Sequence, residues 1–572
     1  MYIAKVPNRG SPPTFLLRES YRQNGKVKNR TLANLTALPR EQIELLSRVL
    51  KGETLVPADQ AFRILRSLPH GHVRAVLAVL RRLGLETLIA SRPCRERDLV
   101  LAMIAQRILH PSSKLAATRL WETTTLAEEL GVEDADVDEL YAALDWLLLR
   151  QRRIENKLAQ RHLTAGARVL YDVSSSSYFG HTCLLARFGH NRDGRRDLPC
   201  IVYGVMTAAD GRPIALDVYP GNTGDPTTVP DQVQKLRARF GLERVVLVGD
   251  RGMLTQAQIN KLRERPGLGW LSALRPEAIR KLIEKGRLER SLFDERNLAE
   301  ISSPDFPEER LVACFNPILA ERRRRKRESL LAATEKQLVR IAAEVARRTK
   351  TPLKKAEIGV KAGKVLNKHK VGKHFTLTIE DGRCTWQRQQ RASEEESALD
   401  GIYVIRSSEP AEDLSADDAV RNYKRLSDVE QAFRTLKGLE LLVRPIYHRV
   451  DDRVRAHLFV CLLAYYVQWH LKEAWAPLLF ADEDLAEHRA ARDPVAQAEP
   501  ADEVREKKAT RRSEDGHTLH SFRTLLAALA TQCRDVCQFG DGEPAIRITK
   551  ITDSTPLQTK AFQLLQQQQR SQ

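Results

Sequence analysis

Residues 168–176 read RVLYDVSSS and residues 244–250 read RVVLVGD, and these two runs decide the fold class. The first run places Asp172 inside an apolar strand pattern. The second run is apolar without interruption, which is typical of a strand buried on both faces, and it ends at Asp250. Three further strand patterns lie at residues 200–208, 213–221 and 268–274.

The order of these elements indicates the kind of sheet. Asp210-Gly211 is a hairpin turn signal between the second and third strand patterns. One helix is expected to begin at Asp225-Pro226, with Asp225 as its N-cap, and another is expected to follow Thr255. Three strands that can pair antiparallel, then helix, strand, helix and strand, match the order of a ribonuclease H-like sheet. Spacing alone leaves other α/β folds open.

The regions around this sheet divide the chain. The start combines β-like runs around an Asn24-Gly25 turn signal with helical patterns further on, so a mainly helical N-terminal region with a small β element is expected. The predicted domains are the N-terminal region at 1–165, the first part of the core at 166–275, an insertion domain at 276–400, the second part of the core at 401–480, and a charged linker with a C-terminal region at 481–572.

The predicted insertion domain contains a long helical pattern from about residue 317 to residue 349. It opens with a basic run that includes Arg323 and Arg324, and it places apolar residues seven apart at Leu331, Leu338 and Val345. This spacing predicts one apolar seam. The basic run favours a solvated face, and in a nucleic-acid enzyme it is also suited to lie along phosphates. Strand patterns follow at residues 372–389 and 401–408.

Composition favours a polyanionic partner. Lys and Arg number 93 against 74 Asp and Glu, so the 572-residue chain carries a net charge of +19. A merely basic surface is the alternative. No apolar segment approaches the roughly 20 residues of a membrane span, so a soluble, cytoplasmic protein without a membrane partner is expected. Eight scattered cysteines indicate reduced thiols, and Cys533 and Cys537 are expected to lie in a helix core without a structural metal.

Three acidic residues carry the chemical hypothesis. Two-metal cleavage of a phosphodiester needs carboxylates around ions roughly 4 Å apart, and Asp172, Asp250 and Glu430 are the candidates. Each residue alone has an ordinary explanation as a turn, cap or surface acid. Asp217 and Asp225 have similar surroundings, but a strand position and an N-cap account for them. The combination therefore matters more than any single member.

The angular positions of residues around the predicted helix axis show which side chains share a face with Glu430. It is expected to begin at Ser415 and to stop at Gly438. At about 100° per residue, Tyr423 and Lys437 lie within about 20° of Glu430, and Arg434 lies within about 40°. Such a face suits an acid that holds metal beside groups that hold DNA phosphate. The alternative is a surface helix with an ordinary ion pair from Glu430 to Arg434.

Several separated motifs now resemble a known family. The sequence is similar to bacterial insertion-sequence transposases of the DDE type, in the group whose final helix reads Tyr, two residues, Arg, three residues, Glu, six residues, Lys. The similarity covers about residues 100–470. The motifs that carry it are YDVSSSSYFG at 171–180, PGNTGD at 220–225, VVLVGDRGM at 245–253, GIYVIRSS at 401–408 and YKRLSDVEQAFRTLKG at 423–438.

This resemblance implies a fold, a reaction and partners. It implies a ribonuclease H-like catalytic core with an inserted domain, a DNA-binding N-terminal region, and cut-and-paste transposition that depends on two Mg²⁺ ions, which Mn²⁺ can replace. The implied partners are double-stranded DNA, as terminal inverted repeats and target, and a second copy of the chain in a homodimer. Asp172, Asp250 and Glu430 would be the catalytic, metal-binding triad, with Tyr423 and Lys437 as the other signature residues.

One position departs from the family pattern, because Leu426 stands where the signature has Arg. Arg434 is a candidate to take over that phosphate contact; the alternative is a weakened copy of the enzyme. Trp386 lies in a basic, strand-like context, where the resemblance permits stacking on a flipped base and core packing is the favoured alternative. Arg323 and Arg324 complete the expected DNA contacts.

Two other functions remain open at this point. The first is another ribonuclease H-like nuclease, such as a resolvase. The second is a non-catalytic DNA-binding protein derived from a transposase.

Overall fold

The computed structural model describes residues 1–53, 62–539 and 546–567 and consists of two compact units. The terminal unit comprises residues 1–68 and 533–553, and the main unit comprises residues 69–532 and 554–572 as far as they are described. The terminal unit therefore combines residues from the N-terminal and the C-terminal parts of the chain.

In its described residues, the terminal unit contains two three-stranded sheets and one helix, α1 (Arg40–Leu50). At the hairpin between its second and third strands, Asn24 and Gly25 have φ of 51° and 74°, so the predicted turn is confirmed. The sheets have the orders β1-β2-β3 and β16-β15-β4, formed by β1 (Tyr2–Val6), β2 (Thr14–Gln23), β3 (Lys26–Asn34), β4 (Phe62–Pro69), β15 (Cys533–Phe539) and β16 (Ile546–Ile551).

Two expectations for this unit were wrong. Residues 62–69, expected within a helical region, form β4, which pairs with β15. Cys533 and Cys537, expected in a helix, lie on β15. The period-two spacing of β4 is weak, and its partner lies more than 460 residues away along the chain, so the local pattern gave no signal for the pairing.

The main unit begins with helices, as the periodicity predicts. They pack on a long central helix, α17 (Asp451–Ala474), whose apolar middle is buried. Burial against its neighbours therefore accounts for the most apolar stretch of the sequence. The first helices are α2 (Gly71–Arg82), α3 (Leu85–Ile89), α4 (Arg95–Leu109), α5 (Lys114–Leu120), α6 (Leu126–Leu130), α7 (Val137–Leu148) and α8 (Gln151–His162).

A mixed eight-stranded sheet forms the centre of the main unit, so the predicted α/β class is confirmed. Its order is β10-β11-β14-β9-β8-β5-β6-β7, and only β5-β8 and β8-β9 pair in parallel. Its strands are β5 (Ala167–Ser177), β6 (Cys200–Ala208), β7 (Pro213–Pro220), β8 (Val245–Val248), β9 (Leu268–Ala273), β10 (Leu298–Ile301), β11 (Arg310–Phe315) and β14 (Ile402–Ser407).

The connections in this sheet follow the sequence signals. Gly211 takes φ of 88° in the predicted hairpin between β6 and β7. A continuous helical run covers residues 225–239 and includes α9 (Val229–Gln234), and α10 (Gln256–Arg263) connects β8 to β9. Gly204 on β6 has no side chain, and this allows the Tyr171 ring of β5 to lie over it, where a Cβ would collide with the Tyr171 hydroxyl. The ring therefore packs directly on the neighbouring strand.

The predicted insertion domain begins differently from expectation. Residues 276–315 contain α11 (Pro276–Glu284) and then β10 and β11, which extend the large sheet. The segment outside the sheet comprises α12 (Pro317–Arg347), α13 (Lys355–His369), β12 (Phe375–Glu380), β13 (Arg383–Arg388) and α14 (Gln390–Ser397). Leu331, Leu338 and Val345 are buried, so the predicted seam of the long helix is confirmed.

The remaining helices close the main unit. Residues 481–514, expected to be a charged linker or a frayed helix, contain two of them. None of the helices in the described part of the chain combines the length and hydropathy that crossing a bilayer requires. These helices are α15 (Ala416–Lys424), α16 (Leu426–Lys437), α18 (Leu485–Ala491), α19 (Asp502–Thr510), α20 (Phe522–Ala530) and α21 (Pro556–Gln567).

Candidate functional site

Asp172 on β5 and Asp250 just after β8 lie near the same end of two neighbouring parallel strands. Leu170 of β5 pairs with Val248 of β8, and each aspartate lies two residues beyond this pair. Adjacent strands lie about 4.8 Å apart, and residues two apart share a face, so the register brings the two carboxylates to one edge of the sheet. Of the predicted acids, the structure therefore brings these two together.

The two aspartates differ in exposure and in hydrogen bonding. Asp250 is exposed, and its Oδ1 accepts hydrogen bonds from the backbone N–H groups of Gly252 and Met253 at 2.9 and 2.7 Å. Asp172 is largely buried, and burial raises its pKa to about 7. The hydrogen bond from Val173 N–H opposes the rise, and repulsion from Asp250 adds to it. The site thus holds two like charges whose repulsion a cation would relieve.

This shift predicts a dependence of stability on pH. Unfolded, Asp172 titrates near 3.8, and folded, it titrates near 7, so between these pH values the folded chain holds the extra proton and stability falls as pH rises. We expect Asp172→Asn to raise the free energy of unfolding above about pH 7, by up to about 4 kcal/mol, and to have little effect near pH 4.

Urea denaturation in metal-free buffer at several pH values measures this effect. Asp210→Asn is the matched control, because Asp210 is an exposed turn aspartate that also accepts a backbone N–H, from Arg212 at 3.1 Å. An Asp172→Asn gain that is equal at low and neutral pH would contradict the assignment.

Glu430 lies on α16, which packs against β5 and β6. The buried Val429, Phe433 and Leu436 form the core side, as predicted, and Phe433 meets the Tyr203 ring edge-on at 5.8 Å. The Glu430 side chain is 63% exposed and lies 3.5 Å from Arg434. Glu430 therefore faces outward and makes the helix-surface ion pair that the sequence left as an alternative.

The three acids do not form a ready ligand cluster. Among the residues that the structure describes, no group of three or more His, Cys, Asp or Glu side chains is arranged to hold a metal ion. Tyr423 nevertheless feels the charge of all three carboxylates. Burial raises its pKa to about 12, and Asp250, Asp172 and Glu430 each add to the rise. Its hydroxyl therefore stays protonated with all three acids acting on it.

The predicted single helix from 415 to 438 is two helices. Ser415 caps α15 by accepting the Asp418 N–H at 3.1 Å, but α15 ends at Lys424, and α16 begins at Leu426. The angles calculated along one helix consequently do not describe Tyr423, which lies before the break. Arg425 at the break donates to the Ala209 carbonyl at 2.8 Å.

Leu426, at the position of the signature arginine, is half-buried and packs against the main hydrophobic core. An arginine here would have to leave that contact to reach the site. Arg434 is 67% exposed beside Glu430, so it is the basic side chain of α16 that faces solvent next to the acid.

Lys437 is held by protein groups. Its Nζ donates to the Ser175 carbonyl of β5 at 2.5 Å and lies 3.2 Å from Asp193 Oδ1. Asp193 also lies 2.6 Å from Arg444 and accepts the Ser177 N–H at 2.9 Å. Burial alone would raise the Asp193 pKa, but the N–H and the two cations outweigh it and leave the pKa below its ordinary value. Lys437 thus joins α16 to the strand that carries Asp172.

Sequence reasoning missed three charged residues of this site and misread one. Arg192 binds both oxygens of Asp225 at 2.6 Å, and both residues act electrostatically on Asp172. Asp225 was expected to be an N-cap, which is wrong, because Gly224 takes that position and no side-chain cap forms. The missed residues are Arg192, Asp193 and Arg444. The available signal for the first two was the long loop between β5 and β6, since long loops in compact domains are often functional.

The other predicted DNA contacts lie in the segment outside the sheet. Trp386 is half-buried on β13 and meets the Phe375 ring at 5.9 Å, which is the packing that the sequence favoured. Arg323 is exposed and donates to the Leu399 carbonyl at 3.2 Å, whereas Arg324 pairs with Glu321 at 2.7 Å. Arg323 and Arg324 both lie on the solvent side of α12.

Two parts of the chain match known families. Residues 185–467 match the transposase DDE domain, and residues 3–58 match the N-terminal domain of the IS1634 family transposases. The first match includes Asp250 and Glu430 and begins after Asp172. No curated protein matches the chain.

One solved structure aligns over much of the chain. It is the cryo-EM structure of the piggyBac transposase synaptic complex with hairpin DNA, covering 77% of this chain and 86% of that chain at 11% identity. Its TM-score of 0.32 is too low to establish a shared fold. The two family matches, one near the N-terminus and one across the large sheet, together support an insertion-sequence transposase of the DDE type.

Proposed function

We propose that this protein is a DNA transposase that cuts DNA at the terminal inverted repeats of an insertion sequence and joins the freed ends to target DNA. Its core would be ribonuclease H-like, and the segment before α15 would contain the inserted domain. The protein would act as a homodimer on DNA in the bacterial cytoplasm. The supporting observation is the parallel pairing of β5 and β8, whose last pair, Leu170 and Val248, lies two residues before Asp172 and Asp250.

The donor set fits a pair of divalent cations in part. Asp172 and Asp250 supply hard oxygen ligands, and burial, with repulsion from Asp250 as a smaller contribution, raises the pKa of Asp172. Glu430 would complete the set by turning from Arg434 toward the sheet. Two Mg²⁺ ions bound there would activate the attacking hydroxyl and stabilise the leaving oxygen, and Mn²⁺ would serve in their place.

The protein groups around the acids would orient the DNA. Tyr423 keeps its proton at neutral pH and can therefore donate a hydrogen bond to a phosphate oxygen. Lys437, bound to Ser175 and Asp193, would hold α16 against β5 and thereby fix the position of Glu430 relative to Asp172. The exposed side chains of Arg434, Arg323 and Arg324 would contact DNA phosphates. Trp386 is a candidate to stack on a base.

Strand transfer separates this proposal from its nearest rival. Purified protein is incubated with Mg²⁺, target plasmid and short duplexes that carry pre-cleaved element ends. A transposase joins the 3′-hydroxyl ends to the plasmid, whereas a resolvase-like nuclease cuts branched substrates and joins nothing. Absence of joined product with ends that the protein binds would count against transposition.

Arg434 provides a test of the substitute phosphate contact. We expect Arg434→Gln to raise the dissociation constant for terminal-repeat DNA about 5–10-fold and to lower the salt slope by about one. Fluorescence anisotropy at several salt concentrations measures both quantities. Arg505→Gln is the control, since Arg505 is a half-exposed helical arginine paired with Glu499 and Asp502. Equal effects of the two substitutions would indicate a general loss of charge and no specific contact.

A further inference from the structure

A second basic site lies in the main unit, separate from the three acids. A cavity of about 530 Å³ is lined by residues of α4, α5, α7 and α17, of the loop between α4 and α5, and of the loop before α17. The described residues that line it include no Asp or Glu. Its basic lining residues are Arg107, Lys114, Arg444, Arg449 and Arg453.

Two of these cations are buried without an acid. Lys114 and Arg107 are each 5% exposed. Arg107 Nη1 donates to the Leu442 carbonyl at 3.4 Å. Among the described groups, burial, Arg107 and Cys461 determine the electrostatics of Lys114, and no carboxylate acts on it. Leaving a buried cation unpaired costs several kcal/mol, so such a pair is expected where an anion completes the site.

The nearby acidic residues already form ion pairs with other basic side chains. Asp193 lies 2.6 Å from Arg444, and Asp145 lies 3.2 Å from Arg453. Neither acid compensates Lys114, whose pKa is lowered to about 7 by burial and then by Arg107. The Ser112 hydroxyl also lines the cavity, is buried, and has no partner among the described groups. The cavity thus offers two cations and a hydroxyl donor with nothing opposite them.

We propose that this cavity binds a phosphate group, with Lys114, Arg107 and Ser112 as its donors. Phosphate oxygens accept hydrogen bonds from ammonium, guanidinium and hydroxyl groups alike. The volume falls in the range of about 300–1,000 Å³ typical of small-ligand sites, which leaves room for a nucleoside attached to the phosphate.

The position of the cavity suggests where the phosphate comes from. Leu442, Arg444, Pro445 and Tyr447 line both this cavity and a neighbouring one that Lys437 also lines. A DNA strand running from the candidate active site could therefore place a backbone or terminal phosphate here, a source that rests on the proposed function. The other source is free phosphate or a mononucleotide.

Binding of inorganic phosphate tests the site without DNA or cleavage. Isothermal titration calorimetry is performed near pH 8 in two buffers with different ionisation heats. Wild-type protein is expected to bind phosphate and to take up a proton, because a bound anion raises the pKa of Lys114, which burial and then Arg107 lower. The other titratable groups around Lys114 are His448, His457 and Cys461.

Lys114→Met should weaken phosphate binding at least about tenfold and abolish the proton uptake. It should also raise the thermal midpoint of the phosphate-free protein, because it removes an unpaired buried cation. Lys472→Met, which removes a cation paired with Glu440 outside the cavity, should leave phosphate binding unchanged. Phosphate binding that is absent in the wild type, or equal in wild type and Lys114→Met, overturns the proposal.

DNA binding then identifies the source of the phosphate. If the phosphate belongs to DNA, Lys114→Met weakens binding of terminal-repeat DNA and inorganic phosphate competes with the wild type. If the ligand is free phosphate, DNA affinity is the same for both proteins while the calorimetric difference remains. Either result supports a phosphate site. A transposase that fails the strand-transfer test can still bind phosphate here, so the two proposals fail separately.

Discussion

Replacing Asp250 with asparagine is expected to lower the rate of DNA cleavage by on the order of 10³-fold or more, because loss of one metal-binding charge costs several kcal/mol at the transition state. Asp250 is exposed and follows β8, so the substitution should leave the fold intact. The measurement is nicking of a supercoiled plasmid that carries both element ends, with binding of the same DNA measured in parallel.

The control for this experiment is Asp210→Asn, because Asp210 is an exposed turn aspartate at the hairpin between β6 and β7. It should retain near wild-type cleavage. Glu430→Gln should resemble Asp250→Asn if Glu430 turns into the site, and it should resemble Asp210→Asn if Glu430 remains a surface acid. Cleavage that persists in Asp250→Asn would remove the catalytic assignment and would favour a DNA-binding protein that no longer cuts.

The largest effect on stability is expected at Glu309. Its side chain is fully buried and accepts hydrogen bonds from Arg406 at 2.7 and 2.5 Å and from Arg263 at 2.7 Å. Glu309→Gln leaves the buried guanidinium of Arg406 without a counter-charge and also removes the partner of the more exposed Arg263, so we expect the free energy of unfolding to fall by about 3–5 kcal/mol. Urea denaturation at neutral pH measures this change.

A surface ion pair on the same sheet supplies the comparison. Glu300 on β10 binds Arg310 at 2.7 Å but is half-exposed, so Glu300→Gln should cost less than about 1 kcal/mol. The double variant Glu309→Met with Arg406→Met should recover part of the loss, because no unpaired charge then remains between those two positions. Equal losses of unfolding free energy for Glu300→Gln and Glu309→Gln would show that burial does not determine how much these ion pairs contribute to stability.

The sequence predicted the centre of the sheet because the signals there are local. Asp172 lies inside the apolar run of β5, Asp250 follows the apolar run of β8, and the hairpin between β6 and β7 has an Asp-Gly turn. It did not predict β10 and β11, which are only four and six residues long and pair with each other and with a distant strand. Short strands whose partners are remote in the chain carry little local pattern.

The acidic residues of the candidate site could be predicted from the sequence. The charged residues that support them could not. Asp172 and Asp250 stand out because a carboxylate is unusual in an apolar strand. Asp193 and Arg192 lie in a loop, and their role arises only when folding brings that loop to α16 and to Asp225. The break at Arg425 was also not visible, because both helices have the same period and neither Gly nor Pro separates them.

The pairing of β11 with β14 has a consequence for how this protein can vary. Phe315, at the end of β11, pairs with Ile402, at the start of β14, so the chain leaves the sheet and returns to it through two hydrogen-bonded neighbours. Residues 316–401 therefore leave the sheet and rejoin it at two adjacent strand ends, one strand spacing apart. Shortening this stretch, or exchanging it for an unrelated module, would leave the strands that carry the aspartates undisturbed. Related chains are expected to differ most in size at this point.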